Sequence, residues 1–331
     1  MARPPILLTV IGGYLGAGKT TLLNRVLAGA GDRRIAVLVN DFGSINIDAE
    51  LIESRDGEML TLTNGCICCG IGGDFIAALA SLRDVDDPPE QVVVEASGVA
   101  DPAQIAVLGD MPGYIRDAVL VVADAEAVRA RAEDEHTGHQ VFAQLRAADL
   151  LVVSKLDLVE PEAVVPLRAW LRKIAGPSTS IVEATYGDVP VDVLIGVRAG
   201  ASRARLPVDH DHDHDHDHDH HGHEHEHDGH PLYPTWSFSG EAPLSGAGLV
   251  EALQALPDGV VRAKGLLHLR EDPANRYLLQ LVGRRYTIES HGPWGDTTPA
   301  SRLVVIGLPG SVDAAALDAT VARLSAAPAG A

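Results

Sequence analysis

Along the first two-thirds of the chain, short uninterrupted apolar runs recur at 6–11, 35–40, 91–95, 118–123, 150–154 and 181–184. None alternates with polar residues as a strand with one wet face does, and continuous runs of this length are the pattern of parallel strands buried on both sides. Between them, residues 20–28, 75–82, 141–148 and 162–174 place apolar side chains at helical spacing. Strands and helices in alternation predict an α/β fold, a parallel sheet with helices on both faces. The pattern stops near Gly196, and residues 197–232 read as a solvated linker. Apolar segments resume at 235–239, 248–256, 260–269, 276–282, 284–289, 301–307 and 314–324, which suits a smaller α+β domain. The expected organisation is therefore a first domain over 1–196, a linker over 197–232 and a second domain over 233–328.

The octapeptide Gly13-Tyr14-Leu15-Gly16-Ala17-Gly18-Lys19-Thr20 fits the GxxxxGK[ST] phosphate-binding loop. Its context is the right one, because it follows an apolar strand and opens an amphipathic helix whose first backbone N–H groups face outward to an anion. Gly13, Gly16, Ala17, Gly18, Lys19, Thr20 and Thr21 are the expected phosphate-contacting set, with Lys19 reaching the β- and γ-phosphates and the Thr20 hydroxyl ligating Mg²⁺. The fold class expected is thus that of a P-loop NTPase. Such a protein needs an acid at the end of a second core strand, and Glu95 stands there, followed by Ala96-Ser97-Gly98. Lys19 and Glu95 are the expected catalytic pair, and Gly98 leaves room for a backbone amide near the γ-phosphate. Asp41, in Asn40-Asp41-Phe42-Gly43, is either a second Mg²⁺-linked acid or a local turn former.

Base choice is carried by Ser154-Lys155-Leu156-Asp157, a variant of the [NST]KxD guanine-reading motif. A carboxylate at Asp157 accepts both the N1–H and N2–H of guanine, a donor pair adenine lacks, and the Lys155 stem stacks on the base. Ser154 stands where Asn is commoner, which keeps ATP, and with it a small-molecule kinase, as an alternative to GTP.

Composition changes the picture at two places. With 46% hydrophobic and 22% charged residues the chain is ordinary for a globular protein. Its formal charge of −20 argues against binding nucleic acid or an anionic membrane surface. No run approaches a membrane span or a signal peptide, so a cytoplasmic location is expected. All three cysteines, Cys66, Cys68 and Cys69, fall within Asn64-Gly65-Cys66-Ile67-Cys68-Cys69-Gly70. That excludes a disulfide scaffold. Three thiolates select zinc or another thiophilic ion and leave a coordination position open for exchange; a redox pair and a chance cluster of small buried residues are the alternatives. His136 and His139 offer a further ligand or are simply solvated. Eleven of the 15 histidines and nine of the 46 acids lie between 209 and 230, where Asp alternates strictly with His210, His212, His214, His216, His218 and His220. A strand with one imidazole face and one carboxylate face has nothing to bury, so disorder is expected, with multivalent metal binding lost as the imidazoles protonate near pH 6. An acidic spacer is the plainer reading.

Taken together, the segments GYLGAGKTT, VNDFG, NGCICC, EASGVADP, SKLD and RAKGLLHL with LQLVGRRY resemble, in this order, the CobW-type metallochaperone GTPases, relatives of the GTPases that mature urease and hydrogenase. The resemblance spans all but the His/Asp tract. It implies a GTPase domain followed by a CobW C-terminal domain. It also implies GTP and Mg²⁺ as cofactors, and zinc or cobalt handled at a CxCC site formed by Cys66, Cys68 and Cys69. Glu95 then matches the magnesium-side acid and Asp157 the base reader. A metal-dependent client protein is the implied partner, and a homodimer is left open. Zinc transfer, cobalt supply for cobalamin synthesis and nitrile hydratase activation all occur in the family; a histidine-rich metal store is the reading outside it.

Overall fold

The computed structural model describes residues 3–39, 59–61, 73–184, 188–196 and 233–326. The first domain is built on seven strands: β1 (Ile6–Gly12), β2 (Ile35–Val39), β3 (Met59–Thr61), β4 (Gln91–Glu95), β5 (Tyr114–Asp124), β6 (Leu150–Ser154) and β7 (Ser180–Glu183). They stand in the order β3-β2-β4-β1-β5-β6-β7, every neighbouring pair parallel. The apolar runs are uninterrupted because both faces are covered. On one face lie α1 (Lys19–Ala28), through Leu22, Leu23 and Val26, and α7 (Val191–Ile195). On the other lie α2 (Gly73–Asp84), α3 (Pro102–Ala106), α4 (Val128–Glu133), α5 (Gly138–Ala147) and α6 (Pro161–Ala175). This is the expected P-loop NTPase sheet with helices on both faces.

Two strands depart from the sequence reading. β3 is a three-residue edge strand that no apolar run announces. β5 begins at Tyr114 rather than 118, because Arg116 and Asp117 interrupt the run while remaining in the strand.

The second domain holds β8 (Thr235–Gly240), β9 (Val260–His268), β10 (Asn275–Val282), β11 (Arg285–Pro293) and β12 (Ser301–Gly307), an antiparallel sheet ordered β11-β10-β9-β12-β8. Helices α8 (Gly246–Gln254) and α9 (Ala314–Ser325) cover one face through Leu249, Leu253, Val321 and Leu324. Ser245 and Asp313 cap them by accepting hydrogen bonds from Gly248 N and Ala316 N. The opposite face meets the first domain, with Val282 and Ile306 joining its core and Leu266 and Leu278 packing with Leu7 and Ile115.

The docking takes place at the amino-terminal ends of the parallel strands and is strongly polar. Arg262 of β9 donates to Asp117 Oδ2 at 2.7 Å and to the Leu194 carbonyl at 2.9 Å. Asp117 Oδ2 also accepts from Thr9 at 2.7 Å and from Gln91 at 3.2 Å. Arg285 of β11 grips Asp149 with two bonds, 2.8 and 2.9 Å. The turn between β10 and β11 adds a main-chain bond from Arg284 N to the Ser178 carbonyl at 3.0 Å.

Arg262 and Asp117 are each only 2% exposed, so removing one partner strands a charge in the interior. Asp117→Ala is expected to lose about 3–5 kcal/mol. Replacing both, Asp117→Leu with Arg262→Met, should recover most of that loss, as read from urea-denaturation midpoints of the full chain.

Candidate functional site

The phosphate loop leaves β1 at Gly12 and turns into α1 at Lys19. It runs through left-handed backbone at Gly13, Gly16 and Gly18, with φ of 138°, 75° and 101°. Gly13 is required twice over, since a Cβ there would also stand 2.5 Å from the Val122 carbonyl oxygen of β5. Ala17 N donates back to the Tyr14 carbonyl at 3.1 Å, closing the loop on itself. Gly18 heads the helix with no side-chain cap, so the first amides of α1 remain directed at whatever anion sits there. Lys19 is buried, whereas Gly16 and Thr21 are exposed.

The Thr20 hydroxyl donates to Glu95 Oε1 at 2.8 Å. Glu95 closes β4 and is 2% exposed, so the sheet holds a carboxylate in the interior directly against the loop hydroxyl. A hydroxyl and a carboxylate in contact at the head of a phosphate-binding helix are the hard oxygen donors that suit Mg²⁺. Beyond Glu95 the chain passes close under the loop, where a Cβ on Gly98 would lie 2.8 Å from Leu15 N. The segment is held from below by Gln144 of α5, buried at 2% exposure, whose amide donates to the Gly98 and Ala100 carbonyls at 2.9 Å each. Asp101 then caps α3 by accepting from Ala103 N, with Pro102 at its first position.

The SKLD segment joins this assembly through Ser154. Its hydroxyl donates to the Ala17 carbonyl at 2.8 Å, so the end of β6 is fastened to the phosphate loop itself. Lys155 follows with φ 57°, the single non-glycine residue in the left-handed region among the described residues. Its ammonium bonds Asp124 Oδ2 at 2.7 Å, while Asp124 Oδ1 accepts from Glu126 N and Ala127 N. Asp157 lies in the single-turn 3₁₀ segment Leu156–Leu158, exposed and with its carboxylate bonded to nothing among the described residues. It is presented outward beside the fixed Lys155 stem, the placement a base reader needs.

Three contacts escape a motif reading. Gln144 is legible only as a polar residue on the buried stripe of a helix whose neighbours are Val141 and Leu145. Asp124 ends an apolar run, as Glu95 does, but no motif marks it. Arg131 of α4 stacks its guanidinium over the Tyr14 ring, 4.9 Å from the centroid, and nothing in the sequence pairs these two. Asp41, Cys66, Cys68, Cys69 and the tract from His210 through His220 lie outside the described residues. The described residues hold no group of three or more metal-ligating side chains. His136 and His139 are exposed on the surface. Among the described residues no helix is long and apolar enough to cross a membrane.

The flanks of the cysteine segment are nonetheless placed. Val39 pairs with Glu95 on one side and with Thr61 on the other. The chain therefore departs β3 toward Cys66 at the same end of the sheet as Glu95.

Comparison with known proteins covers both domains. Residues 7–182 match the CobW/HypB/UreG nucleotide-binding domain and residues 233–325 the cobalamin synthesis protein CobW C-terminal domain. The chain is 34% identical to the zinc chaperone CobW of Pseudomonas aeruginosa, across 93% of this chain and 88% of that protein. It is 30% identical to the zinc chaperone YjiA of Escherichia coli, across 92% and 94%. The crystal structure of the Zn(II)-bound YjiA GTPase from E. coli aligns over 97% of this chain and 99% of that one, at 22% identity and a TM-score of 0.45. With a phosphate loop, a strand-end acid and the SKLD segment assembled at one end of a parallel sheet, and both domains matched in order, the chain belongs to the CobW/HypB/UreG family of P-loop GTPases.

Proposed function

We propose that this protein is a GTP-hydrolysing metallochaperone that binds zinc at Cys66, Cys68 and Cys69 and passes it to a metal-dependent client, with an affinity set by the bound nucleotide. The observation that carries the nucleotide half is the Ser154 bond to Ala17, which fastens a guanine-reading segment to the phosphate loop. The metal half is supported by the three clustered thiols and by relatives named as zinc chaperones over most of their length.

In this reading the amides of the loop and the Lys19 ammonium hold the β- and γ-phosphates. Thr20 and Glu95 would hold Mg²⁺, which would supply neutralisation of the charge on the phosphate oxygens in the transfer of the γ-phosphoryl group to water. Gln144 keeps the Gly98 segment pressed against the loop, so the backbone beside the γ-phosphate is positioned before nucleotide arrives. Asp157 accepts from the guanine edge while Lys155, tethered by Asp124, keeps its stem flat for stacking. The histidine tract adds multivalent metal-loading capacity to the same chain. Its imidazoles must be neutral to bind.

Two measurements test the halves separately. Asp157→Asn removes the acceptor for two guanine donors and should weaken GDP by about 3 kcal/mol, roughly a hundredfold. Xanthosine diphosphate should recover much of the lost affinity; unchanged GDP binding removes Asp157 from base reading. For the metal, competition titration against a zinc chelator should give affinities under a non-hydrolysable GTP analogue and under GDP that differ by a factor of about 5–150. Equal affinities remove the coupling. Zinc binding that survives Cys66→Ser, Cys68→Ser and Cys69→Ser together, in a chain lacking 209–230, removes the thiol site.

A further inference from the structure

At the amino-terminal end of the parallel sheet, away from the nucleotide site, the two domains enclose a cavity of about 290 Å³. Its walls are basic and apolar apart from Glu90 and Gln91. Arg33, Arg34 and Leu7 come from the first domain, and Lys264, Leu278 and His291 come from β9, β10 and β11 of the second. The two arginines already have anionic partners. Arg33 donates to Asp192 at 2.6 Å and to the Gly196 carbonyl at 2.7 Å, and Arg34 reaches Asp87 and Glu90 at 3.3 and 3.4 Å.

Lys264 is different, because its ammonium makes no hydrogen bond or ion pair among the described residues, and the residue is half-buried. The interior acid Asp117 is taken up by Arg262, Thr9 and Gln91. Burial pushes the Lys264 ammonium down to about 8; Asp117 and Glu90 oppose that shift, and Arg262 and Arg33 add to it. Its cross-strand neighbour Gln280 is 4% exposed with both amide atoms unpartnered, and the His291 Nδ1 on the cavity wall is buried without a partner too. Buried polar groups in native proteins are paired with few exceptions, and a lone ammonium is the most costly exception. Two such groups, Gln280 and His291, beside a Lys264 ammonium with no hydrogen-bond partner among the described residues, on the wall of a partly apolar cavity, have the chemistry of a small-molecule site.

We propose that this interdomain cavity binds a small organic oxyanion, a carboxylate or a phosphate monoester, with the Lys264 ammonium as its charge partner and Leu7 and Leu278 against its carbon skeleton. Because the walls come from both domains, the ligand also fastens the second domain to the first.

Isothermal titration of the full chain at pH 7, with GDP and Mg²⁺ saturating so that the phosphate loop is filled, tests this with succinate and glycerol 3-phosphate as probes. One-site binding of either probe in the sub-millimolar range is expected, succinate alone assigning the carboxylate class and glycerol 3-phosphate alone the phosphate esters. Lys264→Met should weaken it at least tenfold while GDP affinity is kept. If Lys264→Met does not retain GDP binding, Arg34→Gln on the half-exposed rim decides in its place, with a loss of threefold or more expected. Wild-type affinity should also fall as pH rises from 7 to 9 and Lys264 sheds its proton. No binding of either probe to the wild-type chain overturns the proposal, as does binding that the deciding variant leaves unchanged.

Discussion

Seven strands that all run the same way leave their carboxyl ends along one edge of the sheet and their amino ends along the other. Ligands of open α/β sheets bind outside the carboxyl ends, and here that edge gathers the phosphate loop after β1, Glu95 at the end of β4, Asp124 at the end of β5 and Ser154 at the end of β6. The amino-terminal edge is left for a different task. Gln91 opens β4, Asp149 precedes β6 and Ser180 opens β7, and the second domain docks there against Asp117, Asp149 and Ser178. Nucleotide chemistry and domain docking therefore use opposite ends of the same strands and do not compete for the same backbone groups.

What could be read from sequence follows from how local each signal is. β4 and β6 coincide with their apolar runs, and the phosphate loop sits where its glycines and its Lys-Thr pair place it, because each depends on contiguous residues. The start of β5 could not be read this way. Arg116 and Asp117 look like the end of a buried run, and Asp117 is tolerated inside only because Arg262 arrives from 145 residues further along the chain. The same holds for Gln144, whose partners are the carbonyls of Gly98 and Ala100. A side chain whose role is to satisfy a distant backbone group leaves no periodic trace.

The buried cations of the domain interface show two outcomes of one cost. Withdrawing an ion from water is expensive whatever it meets. Arg262 meets the Asp117 carboxylate through Nη2 alone, with Nε and Nη1 buried and unpartnered, so its burial fixes the position of the second sheet more than it adds stability; hydrophobic residues of equal volume would stabilise as well without specifying the register. Lys264, two residues along the same strand and facing the same domain, meets no such partner. The sheet thus places a cation paired with a carboxylate and a cation without one side by side, and only the first is accounted for by docking.

At the other edge, Lys155 is held in left-handed backbone, a conformation that costs a β-carbon residue of order 1 kcal/mol or more. Its ion pair with Asp124 and the neighbouring Ser154 bond to the phosphate loop hold that geometry from both sides. Serine suffices in place of the commoner asparagine because the Ala17 carbonyl comes within 2.8 Å of the hydroxyl, within reach of a one-carbon side chain. The SKLD segment and the phosphate loop are in this way made mechanically one unit. β2 extends that unit sideways, with Val39 opposite both Glu95 and Thr61. Because this register is fixed by ladder hydrogen bonds in a close-packed sheet, the coupling proposed between nucleotide and metal would not come from a shift of strand register within the sheet.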